Sequence, residues 1–174
     1  MLQVGDIVKC GSNYAKVTAI VFDSSNNTNT ITTDKELDIK NGQYIYLVKG
    51  VSYAANAHSE GYLTTATENY AHAEGEKTSA FGTASHAEGE KTTASSIASH
   101  AEGSYTTASG EYSHAEGLGT NASGGRSHAE GYSTYAYGYA SHAEGETTTA
   151  TARASHAEGM YVDAVGDFSH VEGY

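Results

Sequence analysis

The chain has no proline, no tryptophan, a single cysteine and only 9 Lys and Arg against 21 Asp and Glu in 174 residues. Cys10 alone excludes an intrachain disulfide framework and a cysteine-based metal site. The shortage of basic residues argues against nucleic acid or an anionic membrane as partner, because neither would meet a cluster of positive charge. No apolar run approaches the ~20 residues that cross a bilayer, so no membrane insertion is expected. The start, Met1 through Asp6, does not read as a signal peptide, which leaves folding in a cytoplasm or an export signal outside this sequence. Branched aliphatics are also scarce. From His58 to the end, only Leu63, Ile97, Leu118, Val162, Val165 and Val171 occur. Such a stretch cannot build a Leu/Ile/Val core; it is disordered, fibrous, or a solenoid packed on small residues. A conventional single-core enzyme is nearly excluded, and a non-enzymatic role is expected.

What is abundant is regular. Histidine occurs at His58, His72, His86, His100, His114, His128, His142, His156 and His170, a period of 14 with no insertion or deletion. Each is followed two residues later by Glu and three later by Gly, in the usual frame Ser-His-Ala-Glu-Gly. The other half of each unit is a looser copy, as in Thr106-Thr107-Ala108-Ser109-Gly110. The unit is therefore a doubled heptad, [Ser/Thr]-x-Ala-x-Gly-x-x. Residues two apart share one face of a strand, so each half reads as a short strand with a Ser/Thr, Ala and Gly face turned inward and two residues of turn. Recurrent Gly and Ser/Thr, without a 3.6-residue apolar stripe, disfavour a helix. Collagen would need Gly at every third position. The expected fold is all-β: a parallel β-solenoid with two strands per 14-residue coil, about 40 Å long at ~4.8 Å per coil.

The two outward faces differ. On the first strand the outward pair is invariant: His58/Glu60, His72/Glu74, His86/Glu88, His100/Glu102, His114/Glu116, His128/Glu130, His142/Glu144, His156/Glu158 and His170/Glu172. On the second strand it varies freely, for example Ser79/Phe81, Thr107/Ser109, Tyr135/Tyr137 and Asp163/Val165. An invariant face sees one environment at every rung, and the simplest such environment is a subunit interface parallel to the rod. A homotrimer with a His/Glu ladder along its axis is expected, with Glu beside imidazoles that donate hydrogen bonds or become protonated. A shift to acid pH should then change trimer stability.

Ser85-His86-Ala87-Glu88-Gly89, followed by Glu90-Lys91 and Thr92-Thr93-Ala94-Ser95-Ser96, resembles the head repeat of trimeric autotransporter adhesins of the YadA type, whose motif reads Ser-Val-Ala-Ile-Gly. The resemblance covers about residues 58–174 and implies a left-handed parallel β-roll in a trimer. Here His and Glu stand where the adhesins have Val and Ile, so the implied axis is polar. The His-Ala-Glu-Gly version also resembles repeats of phage and prophage tail proteins, which precede a self-cleaving assembly domain. The chain stops just inside a ninth repeat, and the natural protein is expected to continue.

Residues 1–50 lack the repeat and read as a small β module for capping or attachment, with strands at 7–9, 15–22, 30–32 and 44–49 and turns at Asn26-Asn27 and Asn41-Gly42. Residues 51–57 read as a junction and 58–174 as the solenoid. No cofactor is expected. A metal reading rests on three imidazoles meeting at a threefold axis, with His86, His100 and His114 as candidates, but nine equal copies suit a structural rung better than a single active centre. Tyr132, Tyr135, Tyr137 and Tyr139 cluster in one repeat and are the candidate contact for a host cell-surface receptor or glycan. The composite expectation is a fibre or stalk segment of a phage or prophage tail, on the virion. The alternatives are an adhesin head on a bacterial surface and a metal- or ice-binding solenoid.

Overall fold

The computed structural model describes residues 54–174 throughout and, before them, the backbone of strands at 7–10, 13–23, 28–33, 46–48 and 51–52. The chain divides into two units, residues 1–49 and 50–174. In the first, β1 (Ile7–Cys10), β2 (Asn13–Asp23), β3 (Thr28–Thr33) and β4 (Tyr46–Val48) form one antiparallel sheet in the order β3-β2-β1-β4, with a register shift between Val17 and Ala19. Each of the four segments expected to be extended overlaps one of these strands, and the first three strands run beyond the expected bounds. The turns expected at Asn26-Asn27 and Asn41-Gly42 lie outside the described residues.

The second unit is a β-solenoid of stacked 14-residue coils. Among the described residues it has no helix, and none long and apolar enough to cross a membrane. Nine long strands, from His58–Tyr62 to His170–Gly173, form one parallel sheet; nine two-residue strands, from Val51–Ser52 to Asp163–Ala164, form the other. Val51–Ser52, assigned to the junction from sequence, pairs with Thr65–Ala66 as the first strand of the short sheet. Register is offset by one whole coil, so His100 pairs with His114, Ala101 with Ala115 and Glu102 with Glu116.

The doubled heptad survives at the corners more faithfully than in the strands. From Asn56 to Phe168 every seventh residue has a left-handed backbone, with φ between 49° and 70°, and Gly119 is the one glycine among them. Non-glycine residues at such angles cost about 1–2 kcal/mol each. Hydrogen bonds between coils hold them there: Lys77 N–H donates to the Tyr62 carbonyl at 2.7 Å and Ala84 N–H to the Asn69 carbonyl at 2.9 Å. One corner is also clamped by its own side chain. Ser113 Oγ donates to the Gly110 carbonyl and Ser141 Oγ to the Gly138 carbonyl, at 2.7 and 2.8 Å.

The core is a pair of alanine columns, such as Ala87, Ala101 and Ala115 on the long strands and Ala94, Ala108 and Ala122 on the short ones, all fully buried. A threonine column from Thr64 to Thr148 and a serine column from Ser85 to Ser155 flank them, each residue at most 2% exposed. One inward assignment is corrected. The Gly of His-Ala-Glu-Gly is exposed, not inward; its φ lies between 101° and 114° from Gly61 to Gly159, and it turns the chain where a side chain would strike the next coil.

The hydroxyls of Thr78, Thr92, Thr106, Thr120 and Thr134 are buried without a hydrogen-bond partner. The same place in the last complete coil is taken by Val162. Thr106→Val exchanges an unpaired buried hydroxyl for a methyl of similar shape. It is expected to raise stability by about 1 kcal/mol in urea denaturation.

Candidate functional site

Two outward rows on the long-strand sheet carry the invariant residues. The backbone alternates, so the Ala between His and Glu points into the coil and the two polar side chains point out on the same face. Parallel pairing without slippage then places each His on the next. From His72 to His156 the imidazoles stack with centroids 4.7–4.8 Å apart and planes within 7° of parallel. The ends loosen: His58 meets His72 edge-on at 63°, and His170 tilts by 31° from His156. All nine His and all nine Glu expected to form a ladder do lie on this one sheet, in register.

Nε2 of His86, His128 and His156 faces the carboxylates of its own coil and the coil before. His128 Nε2 is 3.6 Å from Glu116 and 3.7 Å from Glu130; His156 Nε2 is 3.4 Å from Glu144 and 3.7 Å from Glu158. At His114 the approach tightens to a hydrogen bond of 3.2 Å with Glu102. About a third of each inner ladder side chain stays exposed in the single chain, against 62% for His58 and 73% for Glu172 at the ends. Beside the Glu row runs a shallow groove floored by glycine, lined by Glu116, Glu130, Glu144 and Glu158 with Gly117, Gly131, Gly145 and Gly159.

A column of carboxylates one rung apart cannot all ionise freely. Hydrogen bonding with Glu144 and Glu116, with burial and the two neighbouring charges, pushes Glu130 up to about 7. Glu116 and Glu144 are held below the usual carboxylate range, chiefly by the hydrogen bond from Glu130. His100, His128 and His142 lie below the ordinary imidazole value, first through burial and then through the charge that neighbouring rings would carry.

These shifts have opposite consequences for stability. Below about pH 6.5 the unfolded chain binds protons that the three folded imidazoles resist. Their contribution is complete above that pH and is lost as pH falls towards the lowered folded values. Glu130 contributes fully below its reference value of 4.5, and that contribution is lost as pH rises through 7. Between pH 7 and 5 the imidazoles lower the melting temperature while Glu130 opposes them. Glu130→Gln removes the opposing group. Solvent reaching a third of the side chain screens its repulsion, so the variant should gain about 1 kcal/mol at pH 8, match the parent near pH 5 and show a steeper fall between. Thermal melts at constant ionic strength, followed by circular dichroism, read both effects.

The tyrosine cluster is only partly brought together. Tyr135 and Tyr137 stack at 5.8 Å on the outer face of the short strand. Tyr139, at the following turn, instead meets Arg126 of the previous coil, as hydrogen-bond partner and as a ring 5.3 Å from the guanidinium. Tyr132 ends a long strand, in register with Leu118 and Glu146. The sequence reading missed a set of cation–aromatic contacts between coils, among them Lys91 with Tyr105 at 4.2 Å and Arg153 with Phe168 at 5.7 Å. Lys91 and Tyr105 are 14 apart, so the repeat register carried that signal. Lys91 also pairs with Glu90 at 2.7 Å, and these partners raise its pKa.

No protein-family model matches the chain, and no curated protein matches it significantly.

Proposed function

We propose that the protein is a non-enzymatic structural segment of a homotrimeric fibre, from a phage or prophage tail, whose chains meet along the His/Glu ladder. One observation carries the reading: nine identical outward pairs occupy a single half-buried face, while the outward face of the short strands changes from coil to coil. A rod with an interior of Ala, Thr and Ser buries little apolar surface by itself. Association along the ladder would cover its remaining exposed third and the glycine-floored groove beside it. At neutral pH Glu130, pushed up to about 7, relieves part of one charge in that column. The N-terminal β module serves as cap or attachment unit, and Tyr135 and Tyr137 offer a stacked aromatic surface to a host receptor or glycan.

The adhesin-head reading keeps support from the parallel 14-residue coil with its alanine interior, the geometry its resemblance implies. Light scattering tests the assembly: a mass three times the 18.2 kDa chain is expected, and a stable monomer overturns it. Genomic neighbourhood separates the two settings. Tail genes support the fibre; a signal sequence and membrane-anchor domain in the full gene decide for the adhesin.

A further inference from the structure

We propose that the ladder of a single chain binds divalent transition-metal ions of the zinc class, one ion for every two coils, at His100–Glu102–His114, His128–Glu130–His142 and His156–Glu158–His170. In each group two imidazole nitrogens and one carboxylate oxygen lie within 4.8 Å of one another, all three residues drawn from one chain. This differs from the threefold arrangement expected from sequence, in which each chain would supply one imidazole to a shared axial ion.

Two independent features point to a ligand. The Nε2 atoms of His100 and His142 are shielded from solvent yet make neither a hydrogen bond nor an ion pair, and those of His128 and His156 meet only carboxylates, at 3.4–3.7 Å. Each of these rings already stacks on its neighbours, so a cation is the partner that the nitrogens still accept. The donor set, two imidazoles and a carboxylate, also occurs in open zinc sites, where the fourth position takes water or an incoming group. Here that position faces outward from the sheet, towards solvent or an adjoining chain.

Geometry sets the stoichiometry. Zinc–nitrogen bonds of about 2.0–2.1 Å need donors roughly 3.4 Å apart in a tetrahedron, so paired rings must tilt together out of the parallel stack. At the end of the stack His156 and His170 already stand with planes 31° apart and centroids at 4.6 Å, so a tilted pair fits this rung spacing. An imidazole whose Nε2 holds one ion cannot serve the next, so ions fall on alternate gaps, about 9.6 Å apart. Glu74–His86–Glu88, with one imidazole and two carboxylates, is a fourth and harder site that suits zinc less well.

The inference rests on the geometry of one ladder and does not require the trimer. The experiment titrates EDTA-stripped full chain with zinc chloride, counts the zinc retained after dialysis by elemental analysis, and measures mass by light scattering on the metal-free sample. Three zinc per chain are expected, or four if the Glu74 site fills. Changing His100, His128 and His156 together to Gln should leave at most one, with folding checked by circular dichroism. Changing Glu102, Glu130 and Glu158 to Gln keeps the ring stack and should release in dialysis the zinc that the parent retains. No retained zinc, one ion per three chains at each rung, or a count unchanged in the His variant overturns the inference. A monomer holding three zinc overturns the trimer alone, and a trimer holding none overturns the metal sites alone.

Discussion

Gly103→Ala is expected to destabilise the solenoid by more than about 4 kcal/mol, while Gly119→Ala, sixteen residues further on, costs about 1–2 kcal/mol. Both glycines have positive φ, 101° and 70°. They differ in what a side chain would meet. A Cβ on Gly103 would lie 2.2 Å from the carbonyl oxygen of Gly117, a backbone atom that cannot swing aside without shifting the next coil. Around Gly119 the nearest atom is Ser133 Oγ at 3.7 Å. Side chains are in fact the rule at that corner, where Lys77, Lys91, Tyr105 and Thr147 stand in other coils with φ of 55–57°. Urea denaturation of the two variants reads the difference directly. Equal costs would mean that the exposed Gly row does not carry the close approach between coils.

Ala101→Leu should cost about 3 kcal/mol or more, at the upper end of what overpacking usually does. Ala101 is fully buried, as are Ala87 and Ala115 above and below it and Ala94 and Ala108 on the short strands. In an ordinary core a neighbour can rotate to make room. Here the neighbours are methyl groups, and the coils on both sides are fixed in register at one rung spacing. The added carbons can be accommodated only by spreading the coil. In the last coil, where no further coil packs on top among the described residues, Val171 occupies the same place and is half-buried. The measurement is the melting temperature of Ala101→Leu beside that of Val171→Leu, which should change little.

Much of this architecture was readable because the repeat never slips. His-x-Glu at a constant 14-residue interval determines that identical residues stack, and alternation in a strand determines which share a face. Ala and Ser/Thr were correctly expected inside. The Gly was not, because a residue spaced two from Ala would point inward only if the strand stayed regular, and at Gly103 the backbone turns to a positive φ instead. The two halves also looked equivalent in sequence, yet one forms five-residue strands and the other two-residue strands. The Ser113-type clamp and its turn take up the rest of the second half. Within the ladder, the stacking of like residues was legible. The upward shift of Glu130 was not, because it depends on how closely carboxylates of successive coils approach. The tyrosines of one repeat were close in sequence, but strand and turn send Tyr139 to Arg126 and leave Tyr135 with Tyr137.

The ladder as the meeting line of three chains is tested most directly by cross-linking at chosen faces. In a Cys10→Ser background, Glu116→Cys puts one thiol per chain on the ladder and Ser109→Cys puts one on the outer face of the short strand. A short tris-maleimide linker should convert the Glu116→Cys protein to covalent trimers and leave the Ser109→Cys protein as single chains. Trimers from Ser109→Cys, with none from Glu116→Cys, would contradict the account.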